Sequence, residues 1–428
     1  MIESLGRFFQ IPKSVALVLV ANLLVSLVNG GVMLIFNIYL RKQGYLDPAI
    51  AQFTAYRFAG VLLLALPVGM LLRGRRLKPF LWLSVMTIPL SAWFMVVAAE
   101  QKDEMLLAIT MTTWGVGMMF GQVATLPFIL RETTEEARTE AISLSFAAWS
   151  LALLSSGAVI PTLQWIGQIE LGSWIWQFDD PGVLRTMILA SLLAIPLLLL
   201  AREGPPPEER KLRVWSARRE YDWGLIIRAT IPNMFVAVGA GLTIPFISLF
   251  FNGVFGLTSA EFSVLGGAAG IPVLAGFLLN PAIKRRFGYG AAIVLSQSLS
   301  VFFLICLAMT ELLKDVSGMV WVAGGCFLLR QPLMNMAAPI TSDLAINYVG
   351  ARNRELISAL GASIWSGAWF LSAKIFEYLR NRDFTYWQVF LVTAALYIFA
   401  TFLYWRLIQD HKRRQAARAS QEAAAPTT

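Results

Sequence analysis

Apolar residues fall along this chain in long runs, each closed by a short polar or basic turn, and twelve such runs follow one another. About 20 consecutive apolar residues let a helix cross the hydrocarbon core of a bilayer, so the pattern predicts twelve transmembrane helices. They lie at about 15–40, 50–72, 79–99, 105–130, 141–166, 183–201, 224–251, 258–283, 289–310, 318–347, 356–378 and 385–408. The first run is too long for the core of a signal peptide and has no small-residue cleavage site close behind it, so it is read as a retained helix. The expected fold class is therefore all-α membrane protein, with no large soluble domain. Composition agrees: 57% of the 428 residues are hydrophobic and 14% charged, against about 25% charged in soluble domains.

A formal net charge of +9 invites a nucleic-acid reading until the basic residues are assigned to sides. Alternating through the spans puts about 25 of the 35 Lys and Arg on the side of the termini and about 8 on the other. That bias places both termini in the cytoplasm and makes the basic excess a topology signal, which removes nucleic acid as a partner. Trp174 and Trp176, in the outer loop after span five, read as an interfacial belt. Short inner loops and no disulfide framework fit a bacterial inner membrane.

The two cysteines, Cys306 and Cys326, sit in apolar runs without CxxC spacing, and the one histidine, His411, lies in the charged C-terminal tail. No metal site and no cofactor is expected. No phosphate-cradling loop, no Asp-x-x-Asp cluster and no nucleophile with a base occurs, so the chain is not read as an enzyme, nor as ATP-driven.

Between spans six and seven the chain runs Arg202-Glu203-Gly204-Pro205-Pro206-Pro207-Glu208-Glu209-Arg210-Lys211. Three prolines cannot continue a helix, so this is a linker. The expected division is an N-terminal six-helix bundle over 1–201, a cytoplasmic linker over 202–222, a C-terminal bundle over 223–410 and a cytoplasmic tail over 411–428. A shift of 211 residues lays Asn22-Leu23-Leu24-Val25 on Asn233-Met234-Phe235-Val236, Gly30 on Gly241, and the basic turn after span two on the one after span eight. The common shift points to a duplicated six-helix unit, the arrangement with which transporters enclose a midplane site.

On these features the whole chain resembles the major facilitator superfamily. The basic turns stand where that family carries a Gly-x-x-x-Asp-Arg-x-Gly-Arg-Arg type motif: here Gly69-Met70-Leu71-Leu72-Arg73-Gly74-Arg75-Arg76, and in the second copy Lys284-Arg285-Arg286. The motif acid is missing from both. The resemblance implies two pseudo-symmetric six-helix bundles and an inner-side charge lock at Arg73, Arg75, Arg76, Lys284, Arg285 and Arg286, with Asp343 as the substitute acid.

Helical spacing picks out polar stripes. In span one Asn22, Ser26, Asn29, Met33 and Asn37 follow steps of three or four, and amides cannot face lipid unsatisfied. They face either neighbouring helices or a wet cavity. Span four continues the pattern with Trp114, Met118 and Gln122, span seven with Asn233, span ten with Arg330 and Met334, and span eleven with Trp365 and Trp369. The resemblance implies that spans one, four, seven and ten converge on a central cavity. Arg330, near mid-depth, and Arg57, in the outer half of span two, are intramembrane charges and so functional candidates. Arg330 either grips an anionic substrate group or caps carbonyls around the Pro332 break. The resemblance implies that spans two and eleven approach each other across the two halves, so Arg57 and Glu377 form an expected gate at the outer mouth, with a Lys374–Glu377 pair as the alternative.

The expected function is secondary active transport of a small organic solute, anionic or amphipathic, by alternating access. The alternative is multidrug or lipid efflux by proton-coupled antiport. A small-molecule substrate, a coupling ion such as H⁺ and membrane lipids are the expected partners of a monomer. No acid lies at mid-depth, which weakens direct proton coupling.

Overall fold

The computed structural model describes residues 11–72, 75–205, 221–350 and 354–424. Among the described residues twelve helical segments run in the expected order. They are α1 (Lys13–Lys42), α2 (Asp47–Leu71), α3 (Lys78–Gln101), α4 (Glu104–Glu132), α5 (Glu135–Ile166) and α6 (Asp180–Leu200). There follow α7 (Trp223–Phe255), α8 (Ser259–Ala268 continued by Gly270–Tyr289), α9 (Gly290–Leu312), α10 (Met319–Val349), α11 (Arg354–Arg380) and α12 (Tyr386–Ala424). Among the described residues nine of these are long and apolar enough to cross a membrane by length and composition alone. α2, α10 and α11, which carry the intramembrane arginines and the span-eleven tryptophans, complete the twelve. An antiparallel hairpin, β1 (Gln168–Leu171) with β2 (Trp174–Gln177), joins α5 to α6.

Local sequence sets several helix starts. Asp103 accepts from the Leu106 backbone N–H at 2.9 Å and Asp179 from that of Gly182 at 3.0 Å, each satisfying a donor that a helix N-terminus leaves open. Thr258 and Glu261 form a reciprocal capping box at the start of α8. Glu203, in the first residues of the linker, accepts from the backbone N–H groups of Leu77 (2.5 Å) and Lys78 (2.9 Å) and so caps α3.

The repeat shows in the breaks. α1 is interrupted by a π-helical turn at Val32–Phe36, and shifted by 211 that turn falls on 243–247, where α7 is interrupted by a 3-10 turn at Ile244–Phe246. Shifted likewise, α3 falls on 289–312 and α9 is found at Gly290–Leu312.

By backbone proximity the chain forms two compact units. The first comprises 1–211, 244–271 and 369–384, and so includes the last turns of α7, the first part of α8 and the end of α11. Glycine makes one of its seams possible: a Cβ on Gly157 of α5 would stand 2.4 Å from the Cα of Gly267 on α8. Phe246 and Phe376 stack with centroids 3.8 Å apart. The second unit comprises 212–243, 272–368 and 385–428. In its core Gly239 of α7 leaves room for the Tyr397 ring of α12, and Thr243 and Thr393 share a buried hydrogen bond of 3.1 Å.

Candidate functional site

The site in the first unit is built around Arg57, halfway along α2. α4 approaches the backbone there as closely as glycine permits, since a Cβ on Gly115 would lie 1.9 Å from the Arg57 carbonyl oxygen. That contact sets the neighbouring Trp114, fully buried, under the guanidinium, which stands 4.1 Å from the indole centroid. The Phe58 ring lies 5.0 Å away and meets Trp369 edge to face at 5.0 Å. Cation–π contacts of this kind contribute about 0.5–2 kcal/mol according to desolvation.

Arg57 makes one hydrogen bond among the described residues, from Nη2 to Asn29 Oδ1 at 2.9 Å, and no ion pair. A guanidinium has five N–H donors. The buried Asn29 Nδ2 and Trp114 Nε1 also have no acceptor. Beside them lies a cavity of about 20 Å³ lined by Arg57, Trp114, Thr54, Asn37, Met33 and Met111, with Val32 and Pro245. The irregular turns of α1 and α7 form its end: Asn37 Nδ2 donates to the Pro245 carbonyl at 2.6 Å. Among the described residues here, then, are one cation, surplus donors and no carboxylate. Such a set accepts an anionic oxygen and offers little to a cation.

Above it the first unit carries a charge network. Asp47, 7% exposed, accepts from Arg41 through Oδ1 and from Arg380 Nη2 (2.8 Å) and Nε (3.1 Å) through Oδ2. Arg41 Nη1 also donates to the Leu249 carbonyl (2.7 Å) and Asn252 Oδ1 (3.1 Å). Lys42 pairs with Asp180 at 2.7 Å. Together these tie the ends of α1, α7 and α11 to the starts of α2 and α6.

The gate expected between Arg57 and Glu377 is not formed. Glu377 pairs with Lys374 one turn earlier, at 2.7 Å, and Arg57 turns to Asn29. An i,i+3 partner needs no further ordering of the backbone, whereas Arg57 is held by the aromatic face beneath it. The network on Asp47, which sequence reasoning missed, occupies the same end of the helices instead.

The other candidates disperse. Asn22 lines a separate pocket of about 20 Å³ with Ser84, Gly121 and Thr125. Ser26 is buried, Met118 half-buried and Gln122 exposed. In the second unit Asn233, Met334 and Trp365 are half-buried. Arg330, 1% exposed, faces the Tyr397 hydroxyl at 3.4 Å, and among the described residues its guanidinium reaches neither a carboxylate nor a carbonyl near Pro332. Its Nε has no acceptor. Asp343 accepts from the Tyr289 hydroxyl and from Asn347 at 3.2 Å. Arg75, Arg76 and Arg286 are exposed, Arg73 lies outside the described residues, and so do the side chains of Lys284 and Arg285.

A family model described as Major Facilitator Superfamily matches residues 18–373. The chain belongs to the Major Facilitator Superfamily. It is thus an integral membrane protein of a transporter family with the twelve-helix fold. Solved structures of the superfamily overlay it along almost its whole length. A bacterial homologue of the iron transporter ferroportin matches with TM-score 0.70 and 13% identity over 92% of this chain and 98% of that one. A bacterial homologue of the human lysosomal transporter Spinster matches at 0.67 and 15% over 92% and 96%. A D-xylose-proton symporter matches at 0.68 and 15% over 92% and 97%. At these identities the likeness is one of fold. No curated protein sequence gave a significant match.

Proposed function

We propose that this superfamily member moves a small organic anion across a bacterial inner membrane, with both termini in the cytoplasm, by alternating access. In this reading the anionic group of the substrate engages Arg57, and the aromatic surface of Trp114, Phe58 and Trp369 takes the apolar part of the solute. The observation that carries it is the Arg57 guanidinium, which among the described residues has one amide acceptor and no acid. A charge at mid-membrane costs about 2.5–3.5 kcal/mol on insertion scales, so residues of this kind mark substrate paths. The Asp47 network serves as the outer gate: it must open for solute to pass on that side and close when the opposite side opens.

A thermal-shift screen of the detergent-purified protein against organic carboxylates, organic phosphates and lipophilic cations tests the proposal. A ligand at 100 times its Kd adds about 2.7 kcal/mol to the folded state. Stabilisation by an anion in the wild type that is lost in Arg57→Gln, together with loss of uptake of that anion into proteoliposomes, supports the reading. Stabilisation by lipophilic cations alone, unchanged in Arg57→Gln, moves the function to multidrug efflux.

A further inference from the structure

A second basic site lies in the second unit, where the start of α7, the end of α10 and the middle of α12 converge around a cavity of about 820 Å³. Its polar wall carries Arg228, Arg406 and Arg413. The carboxylate in that wall, Asp410, is already engaged: it accepts from the Tyr348 hydroxyl at 2.6 Å and from Arg414 Nε at 2.9 Å. Arg414 is further held by the Tyr348 ring, 5.1 Å from its guanidinium. Among the described residues of the lining one acid, Asp410, stands with three arginines, and a local excess of positive charge remains there.

Apolar side chains share the lining: Ile231, Leu403 and Trp405 belong to it, and Ile231 and Trp405 are 36% and 48% exposed. An exposed tryptophan beside arginines fits the headgroup level of a bilayer. A soluble anion would use only the arginines. A lipid with a charged head and an acyl chain uses both.

We propose that this cavity is a binding site for one anionic phospholipid of the leaflet on the side of the termini. The phosphate sits among Arg228, Arg406 and Arg413, and an acyl chain runs along Ile231, Leu403 and Trp405. Basic pockets between transmembrane helices recognise anionic headgroups in this way, at about 1 kcal/mol per basic residue near the surface. Because α7, α10 and α12 all contribute, an occupied site cross-links three helices of the second unit. The site is independent of Arg57, and its failure leaves the anion-transport reading untouched.

The experiment is native mass spectrometry and thermal shift on the full chain in detergent, titrated with phosphatidylglycerol, phosphatidylcholine or inorganic phosphate. Phosphatidylglycerol is expected to give one retained lipid and a higher Tm; phosphatidylcholine and phosphate are expected to give neither. Neutralisation to glutamine at positions 228, 406 and 413 should weaken phosphatidylglycerol retention roughly fivefold per arginine removed. Arg413→Lys, which keeps the charge, should retain binding within about threefold and controls for misfolding. Equal retention by wild type and the triple glutamine variant overturns the proposal, as does equal stabilisation by phosphatidylcholine. Stabilisation by inorganic phosphate equal to that by the lipid overturns the assignment to a membrane lipid.

Discussion

Asp47 and Arg380, 333 positions apart, are joined by two hydrogen bonds to one carboxylate oxygen, at 2.8 and 3.1 Å. The other oxygen holds Arg41, so the carboxylate pairs with two cations drawn from α1 and α11. The three side chains are between 7% and 24% exposed, which makes the carboxylate worth more than a surface pair and less than a fully buried one.

Asp47→Asn should therefore remove the negative charge that Arg41 and Arg380 share and lower stability by about 1–3 kcal/mol. If the network is a gate, a cysteine placed at Asn252 will also react faster with a membrane-impermeant thiol reagent from the outer side in Asp47→Asn than in the otherwise wild-type chain. A fall in Tm with unchanged labelling would leave the network as a staple without a gating role.

Arg380→Lys keeps the charge but loses the planar fork that contacts Asp47 through two nitrogens. Its cost is expected to be about half that of Asp47→Asn, and the order of the two Tm values checks it.

Replacing Gly157 is a steric matter. With Gly267 Cα 2.4 Å from the position of a new Cβ, even alanine forces α5 and α8 apart. Gly157→Ala should cost about 1–3 kcal/mol, the range for overpacking. Gly167→Ala is not a fair control, because φ there is +75° and alanine would be strained in the backbone itself. Gly325, where a Cβ would meet nothing within 4 Å, is a fair one, and Gly325→Ala should leave the melting temperature within a degree or two.

Arg330 is the reverse case. It is buried with a 3.4 Å tyrosine hydroxyl as its hydrogen-bond partner, and an apolar side chain of similar volume removes the cost of desolvating it. Arg330→Met is expected to hold or raise the melting temperature by up to about 2 kcal/mol equivalent, with stabilisation by the anionic ligand retained. Loss of that stabilisation in Arg330→Met, and its persistence in Arg57→Gln, would exchange the roles given to the two arginines.

The spans and the repeat were legible because they rest on local statistics. Twenty apolar residues announce a helix wherever they occur, and a shift of 211 collects many weak matches into one. The polar stripe of α1 was legible as a stripe, yet its members go to different places: Asn29 to Arg57, Asn37 to the Pro245 carbonyl, Asn22 to a pocket between α1, α3 and α4. Periodicity reports which face of a helix is polar and not what that face meets. The Asp47 network was illegible for a related reason. Loop-end charges enter a sequence reading as a topology count, and nothing in such a count pairs position 47 with position 380. For Glu377 the depth of two charges in their spans left two partners open, Arg57 and Lys374, and the one a single turn away is the one found.

The contact between Arg41 and Asn252 is of another kind, since the two positions are 211 apart and are therefore counterparts in the duplicated unit. Counterparts that meet would, in a perfectly duplicated chain, be the same residue facing itself. Two arginines there would repel, and two asparagines would leave Asp47 with one cation fewer. The directed bond from guanidinium to amide exists because the copies have diverged at this point, so the seam joining them depends on the sequence difference between the halves as much as on their likeness.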